Sequence, residues 1–124
     1  MPAADAIDLH GLSILVVEDT ALVADLVADV LQDAGCRVVG PVARLDQGLA
    51  LATTTELAGA LLDVNLAGEQ CFPIADALAG RGVPFAFLTG YGEQMLPERY
   101  RDTPRLTKPF DLGELLVLVE RRFR

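Results

Sequence analysis

Ser13-Ile14-Leu15-Val16-Val17 is followed at once by two acids, Glu18 and Asp19. Four consecutive apolar residues with no polar alternation suit a strand buried on both faces, as in a parallel sheet covered by helices. Residues 20–34 then place Leu22, Leu26 and Val30 four apart, with Val23, Val27 and Leu31 beside them. That spacing predicts an amphipathic helix, and Gly35 stands where a helix stop is expected. The alternation continues along the chain. Cys36–Gly40 reads as a second strand, residues 43–55 as a second helix, Ala58–Asp63 as a third strand and residues 70–80 as a third helix. Phe85–Thr89 is a fourth strand, and Leu106 and Thr107 anchor a short fifth. Pro97 interrupts residues 92–101, whose apolar positions form no stripe, so one or two helical turns are expected there. Asp111-Leu-Gly-Glu114 has the spacing of an N-cap with a reciprocal glutamate. The last helix it opens carries Leu112, Leu115, Leu116, Val119 and Phe123 on one face.

Strands alternating with helices over about 110 residues predict an α/β fold with a doubly wound, five-stranded parallel sheet. The expected strand order is 2-1-3-4-5, flavodoxin-like, with a reduced fourth helix. Residues 11–124 form the domain, and residues 1–10, with the lone histidine His10, are expected to be a flexible, solvated lead-in. The composition agrees with one such unit: 124 residues, 52% hydrophobic, are enough for a core. The longest strictly apolar run, Leu115 to Val119, is far too short for a membrane span. No Lys or Arg precedes Arg37, so the N-terminus does not read as a signal peptide, and a cytoplasmic location is expected. A net charge of −8 argues against nucleic acid as a partner, because phosphate neutralisation needs Lys and Arg. The excess lies in residues 1–62, with nine acids and two bases; residues 63–124 hold nine acids and eight bases. Cys36 and Cys71 match no zinc or redox spacing and read as reduced structural thiols.

Ligands of open parallel sheets sit beyond the carboxyl ends of the strands. Glu18 and Asp19 follow the first strand, Asp63 ends the third, Thr89 the fourth, and Lys108, the chain's single lysine, follows the fifth. Three carboxylates brought together need a proton or a cation among them. Oxygen ligands with open positions suit Mg2+, which takes substrate phosphate oxygens. With Lys108 opposite and Thr89 as a hydrogen-bond donor, the set suits phosphoryl transfer, and Asp63 is the natural nucleophile.

Ile14-Leu-Val-Val-Glu-Asp19, Leu61-Leu-Asp-Val-Asn65, Leu88-Thr-Gly90 and Thr107-Lys-Pro-Phe110 resemble, in order and separation, the signature blocks of response-regulator receiver domains. The resemblance spans residues 12–123. It implies that Asp63 is the phosphoacceptor, Asp19 a direct ligand of Mg2+, Glu18 a ligand acting largely through water, and the Asn65 backbone carbonyl a further ligand. It gives Thr89, Gly90 and Lys108 the phosphoryl-binding and switching roles, and it implies a cis Lys108–Pro109 bond. Pro84 to Gly92 resembles the FAT GUY subgroup, with Leu88 in place of its alanine. This implies a sensor histidine kinase of the HWE or HisKA2 type as phosphodonor, acting on a stand-alone receiver with an unidentified downstream protein.

Two departures bear on switching. Arg105 stands where many receivers carry an aromatic, and Ala67 where a proline is common, with Gly68 following. Tyr91, Arg105, Val117 and Leu118 are candidate switch or partner positions. The last two, near Arg99, Arg101, Arg105, Arg121 and Arg122, suit a homodimer or partner face across the fourth helix, fifth strand and fifth helix, and equally simple partial burial. Asp25, Asp29 and Asp33 form a like-charge stripe on the first helix, read as a solvated face. Competing functions are a phosphorylation-independent scaffold, a phosphate sink, and a phosphohydrolase; the last is disfavoured by Asp63-Val-Asn65 in place of Asp-x-Asp. An enzyme acting on anything but its own aspartyl phosphate is not expected.

Overall fold

A computed structural model describes residues 7–90 and 96–124. Its elements are β1 (Ser13–Val17), α1 (Ala21–Asp33), β2 (Arg37–Val42), α2 (Leu45–Thr54), β3 (Gly59–Asp63), a hairpin of β4 (Asn65–Leu66) and β5 (Glu69–Gln70), α3 (Phe72–Gly80), β6 (Phe85–Thr89), β7 (Arg105–Thr107) and α4 (Leu112–Phe123). The main sheet is parallel throughout, in the order β2-β1-β3-β6-β7. With the hairpin strands set apart, this is the expected 2-1-3-4-5.

Alternation along the strands divides the core into two layers. Ile14 and Val16 of β1, Leu61 of β3 and Leu88 of β6 pack with Val27 and Leu31 of α1 and with Leu115, Val119 and Phe123 of α4. Leu15 and Val17, Leu62 and Phe87 face the other way, onto Ala52 of α2 and Ile74 and Leu78 of α3. Central strands buried on both sides explain why their sequence shows no polar alternation. β3, in the middle, is buried at every position.

The structure corrects several expectations. The buried face of α1 is Ala24, Val27, Ala28 and Leu31, whereas Leu22 and Leu26 are 70% and 46% exposed. Small alanines let the helix lie close to the sheet, and apolar spacing alone did not distinguish them from the leucines on the adjoining face. β2 does not end at Gly40. It continues through a Gly40–Pro41 irregularity, with Gly40 at φ +92°, so that Val17 pairs with Val42. α3 starts at Phe72 rather than residue 70 because the hairpin occupies residues 65–70. Between β6 and β7 the described residues form one 3-10 turn, Glu98–Tyr100, in line with the weak pattern there. The packed unit also reaches back beyond residue 11. Leu9 is fully buried and donates its N–H to the Ala34 carbonyl, while His10 is exposed beside Asp8.

The final helix is opened by the expected capping box: the Asp111 carboxylate accepts from the Gly113 N–H at 2.6 Å and Glu114 reaches back to the Asp111 N–H. Its last turn brings the Phe123 ring over Gly59, where even a methyl group would lie inside contact distance of the ring. Gly59→Ala is therefore expected to cost roughly 1–3 kcal/mol of stability through overpacking. In a Phe123→Ala background the same substitution should cost much less, and equal costs in urea unfolding of the two backgrounds would contradict this contact.

Candidate functional site

Parallel register keeps the strand ends level: Val17 pairs with Leu62, Asp63 with Leu88, and Thr89 with Thr107. The residues at or just beyond these positions therefore meet at one edge. Lys108 is drawn in by its own N–H, which donates to the Thr89 carbonyl at 2.7 Å, and Glu18 by its N–H to the Val42 carbonyl at 2.9 Å.

Glu18, Asp19 and Asp63 bring one carboxylate oxygen each to within 4.8 Å of one another. Glu18 and Asp63 are buried, 1% and 4% exposed, and Asp19 is partly exposed. The Lys108 Nζ lies 2.8 Å from Glu18 Oε1, 2.9 Å from Glu18 Oε2 and 3.2 Å from Asp63 Oδ2. The contact to Oε2 is a hydrogen bond, and Oε1, buried and without one, is held in the ion pair with the same ammonium. Glu18 Oε2 also accepts the Thr20 N–H at 3.0 Å, which fixes the start of α1 to the site.

One ammonium does not balance three carboxylates. Burial pushes the Asp63 carboxyl up to about 8, the hydrogen-bond-close carboxyls of Asp19 and Glu18 and the Glu18 charge push the same way, and Lys108 opposes them. Burial acts to lower Lys108, but the hydrogen bond to Glu18 and the charges of Asp63 and Glu18 prevail and leave it raised. An all-oxygen donor set of three carboxylates, carrying negative charge beyond what one ammonium balances, fits a hard divalent cation.

The other predicted residues divide. Thr89 is buried, its hydroxyl donating to the Leu106 carbonyl at 3.5 Å, and Gly90 follows it at the strand end. The Asn65 N–H points to Asp63 Oδ1 at 3.4 Å. The Lys108–Pro109 peptide is cis, as the resemblance implied. Arg105 is exposed and its guanidinium donates to the Arg101 carbonyl at 2.6 Å. Tyr91 lies outside the described residues. Val117 is 37% exposed, but Leu118 is half-buried against the α1–α4 layer, so the apolar pair is in fact one residue. Arg99 also leaves the supposed arginine rim. It binds Asp76 of α3 through Nε and Nη2 at 3.0 and 3.1 Å, on the layer opposite α4, and lies over the Tyr100 ring.

Two features had no counterpart in the sequence reading. Tyr100 is buried among Phe72, Phe85 and Phe87 and donates its hydroxyl to Asp76, tying the β6–β7 connection to α3. The main-chain N–H of Ala67 donates to Asp19 Oδ2 at 2.9 Å across 48 residues of sequence. The Ala67-Gly68 pair between short polar segments was its only signal, and it fits a two-residue hairpin turn.

No protein-family profile matches the chain. Among solved structures it resembles SdrG from Sphingomonas melonis Fr1, with 37% identity over 95% of this chain and 97% of that one and a TM-score of 0.76. It also resembles the receiver domain of the sensor histidine kinase PA1611 from Pseudomonas aeruginosa PAO1, which holds a magnesium ion in its active-site cleft: 26% identity, 90% and 96% coverage, TM-score 0.75. A curated relative, the transcriptional regulatory protein PdtaR of Mycobacterium tuberculosis, is 28% identical over 123 residues, and the chain spans 60% of its length. No helix among the described residues is long and apolar enough to cross a membrane. A relationship of this strength, carried along nearly the whole of two chains with one fold, places the chain in the family its four sequence blocks resemble, the receiver domains of response regulators in two-component signalling.

Proposed function

We propose that the chain is a Mg2+-dependent phosphoacceptor: Asp63 takes a phosphoryl group from a sensor histidine kinase, and the resulting aspartyl phosphate switches a protein-binding surface. The observation that carries this is the position of Asp63. It ends the central strand, buried, with an ammonium 3.2 Å away and two further carboxylates beside it.

Asp19, Glu18, Asp63 and the Asn65 backbone carbonyl are the residues proposed to hold the metal. Bound Mg2+ supplies the divalent charge that offsets the carboxylates and the phosphoryl oxygens. An Asp63 carboxylate oxygen attacks phosphorus as the donor's P–N bond breaks, and the electron pair of that bond leaves with the imidazole. Lys108 keeps its proton throughout and pairs with the incoming phosphoryl oxygens, a role for a compact ammonium. The Thr89 hydroxyl holds only a long bond to Leu106. It is proposed to exchange this for a phosphoryl oxygen, with Gly90 next to it at the strand end.

The Phe85-to-Thr89 run and, among the described residues, the single 3-10 turn Glu98–Tyr100 before β7 favour the FAT GUY subgroup, and with it a kinase of the HWE or HisKA2 type. Arg105, exposed and bound only to Arg101 among the contacts described, does not serve as a buried aromatic switch. The signal is proposed to travel through Thr89 and its strand to the Tyr100 cluster. Exposed Val117 and the neighbouring Arg121 and Arg122 are proposed to contribute to a downstream or homodimer contact.

Incubation with acetyl phosphate and Mg2+ is expected to label the wild-type chain and leave Asp63→Asn unlabelled; equal labelling of both would contradict the assignment. Lys108→Ala leaves the buried Glu18 carboxylate without its ammonium and should destabilise the metal-free chain by about 3 kcal/mol. Mg2+ should then raise the melting temperature of Lys108→Ala more than that of the wild type. An equal rise in both would contradict Lys108 as the balancing charge.

A further inference from the structure

The hairpin at residues 65–70 is closed by two pairs, Asn65 with Gln70 and Leu66 with Glu69, leaving Ala67 and Gly68 as its turn. Both turn residues have positive φ, +52° and +94°, the mirror-image turn that matches strand twist. Ala67 is the one non-glycine residue with positive φ among those described. For an alanine that backbone costs of order 1 kcal/mol and persists only where the surroundings determine it.

In such a turn the two central N–H groups point out of the ladder and need partners. Gly68 gives its N–H to the Asn65 side-chain oxygen at 3.0 Å, inside the hairpin. Ala67 gives its N–H to Asp19 Oδ2 at 2.9 Å, outside it. The hairpin is itself fixed to the core: Leu66 is 2% exposed, and the Cys71 N–H donates to the Val64 carbonyl at 2.9 Å. The rest of the turn is exposed, so its contact with Asp19 is not a by-product of core packing. A proline at this position would have no N–H to offer.

We propose that Ala67 is a positioning residue, whose main-chain N–H holds the Asp19 carboxylate in the orientation in which it faces Glu18 and Asp63. The inference rests on the reading of Asp19 as a metal ligand. Ligating carboxylates are commonly oriented by a second hydrogen bond, and losing such a partner lowers metal affinity by about 10- to 100-fold. The arrangement makes the hairpin, anchored to the core through Leu66 and Cys71, a fixed support for Asp19.

The test needs the N–H removed and the side chain kept. Ala67→Pro does the first but cannot adopt φ +52°. A semisynthetic chain with an ester in place of the Leu66–Ala67 amide removes that N–H and keeps every side chain; it also weakens the Leu66 carbonyl as an acceptor in the hairpin, an effect that the hydrogen-exchange measurement reads separately. Mg2+ affinity is measured by titration followed through amide chemical shifts, and hydrogen exchange of Asn65 to Gln70 reports whether the hairpin persists. The ester chain is expected to bind Mg2+ about tenfold more weakly with the hairpin retained. Ala67→Gly, which keeps the N–H and relieves the backbone, should bind within about twofold of wild type. An ester chain that binds as tightly as wild type would overturn the proposal, as would Ala67→Gly weakened to the same degree as the ester. A wild-type chain that binds no Mg2+ would overturn the reading of the site, whereas unchanged ester affinity in a chain that is still phosphorylated would remove only the role of Ala67.

Discussion

Excess negative charge at one edge of the sheet is the constraint on which the rest of the structure turns. Glu18, Asp19 and Asp63 bring carboxylate oxygens within 4.8 Å of one another, two of them from buried residues, and Lys108 is their single cationic neighbour among the described contacts. Such an arrangement is costly in an apolar core, because like charges repel and one ammonium repays only part of their desolvation; the Asp63 carboxyl is pushed up by its burial and by its acidic neighbours. Its persistence requires rigid backbone on all sides, and the strands supply it. β1 and β3 are locked in register, Lys108 is tied to Thr89 through its own N–H, and α1 is tied to Glu18 through Thr20. The two apolar layers hold the strand ends level, and level strand ends hold the charges together.

The same charge pattern separates the chemistry from its transmission. Around Asp63 every group proposed for phosphoryl transfer is present. Away from it the chain departs from the family's habits. Arg105 is exposed where an aromatic is common, and the buried aromatic is instead Tyr100, packed on Phe72, Phe85 and Phe87 and bonded to Asp76 of α3. Phe87 lies two residues before Thr89 on β6 and packs on Tyr100, so the strand that carries Thr89 also carries a member of the aromatic cluster. Arg99 adds a bidentate bond to the same Asp76 and stacks on Tyr100, which makes the cluster one unit.

Much of this was legible in the residues. Uninterrupted apolar runs identified the central strands, since burial on both faces removes polar alternation, and the strand-end positions of Glu18, Asp19, Asp63 and Lys108 were enough to expect them at one edge, because parallel register keeps strand ends level. Asp111 and Glu114 announced their capping box by spacing alone. Other features were hidden for physical reasons. On α1 the alanines face the sheet and Leu22 and Leu26 face out, because close helix–sheet approach favours small side chains that hydrophobic spacing undervalues. Leu9 looked like part of a tail because one buried residue in a polar segment has no period. The bond from Ala67 to Asp19 depends on a positive φ and a main-chain N–H, neither of which a side-chain pattern encodes.

The central claim is that this crowded edge exists to make and hold a phosphoryl bond at Asp63. Chemical trapping tests it most directly. Borohydride reduction of the chain after incubation with Mg2+ and acetyl phosphate converts an aspartyl phosphate to homoserine, which peptide mass spectrometry locates. Homoserine is expected at position 63 alone, and only in samples that contained Mg2+. Homoserine at Asp19 or elsewhere, or a label that survives as a hydroxyl phosphate, would contradict it.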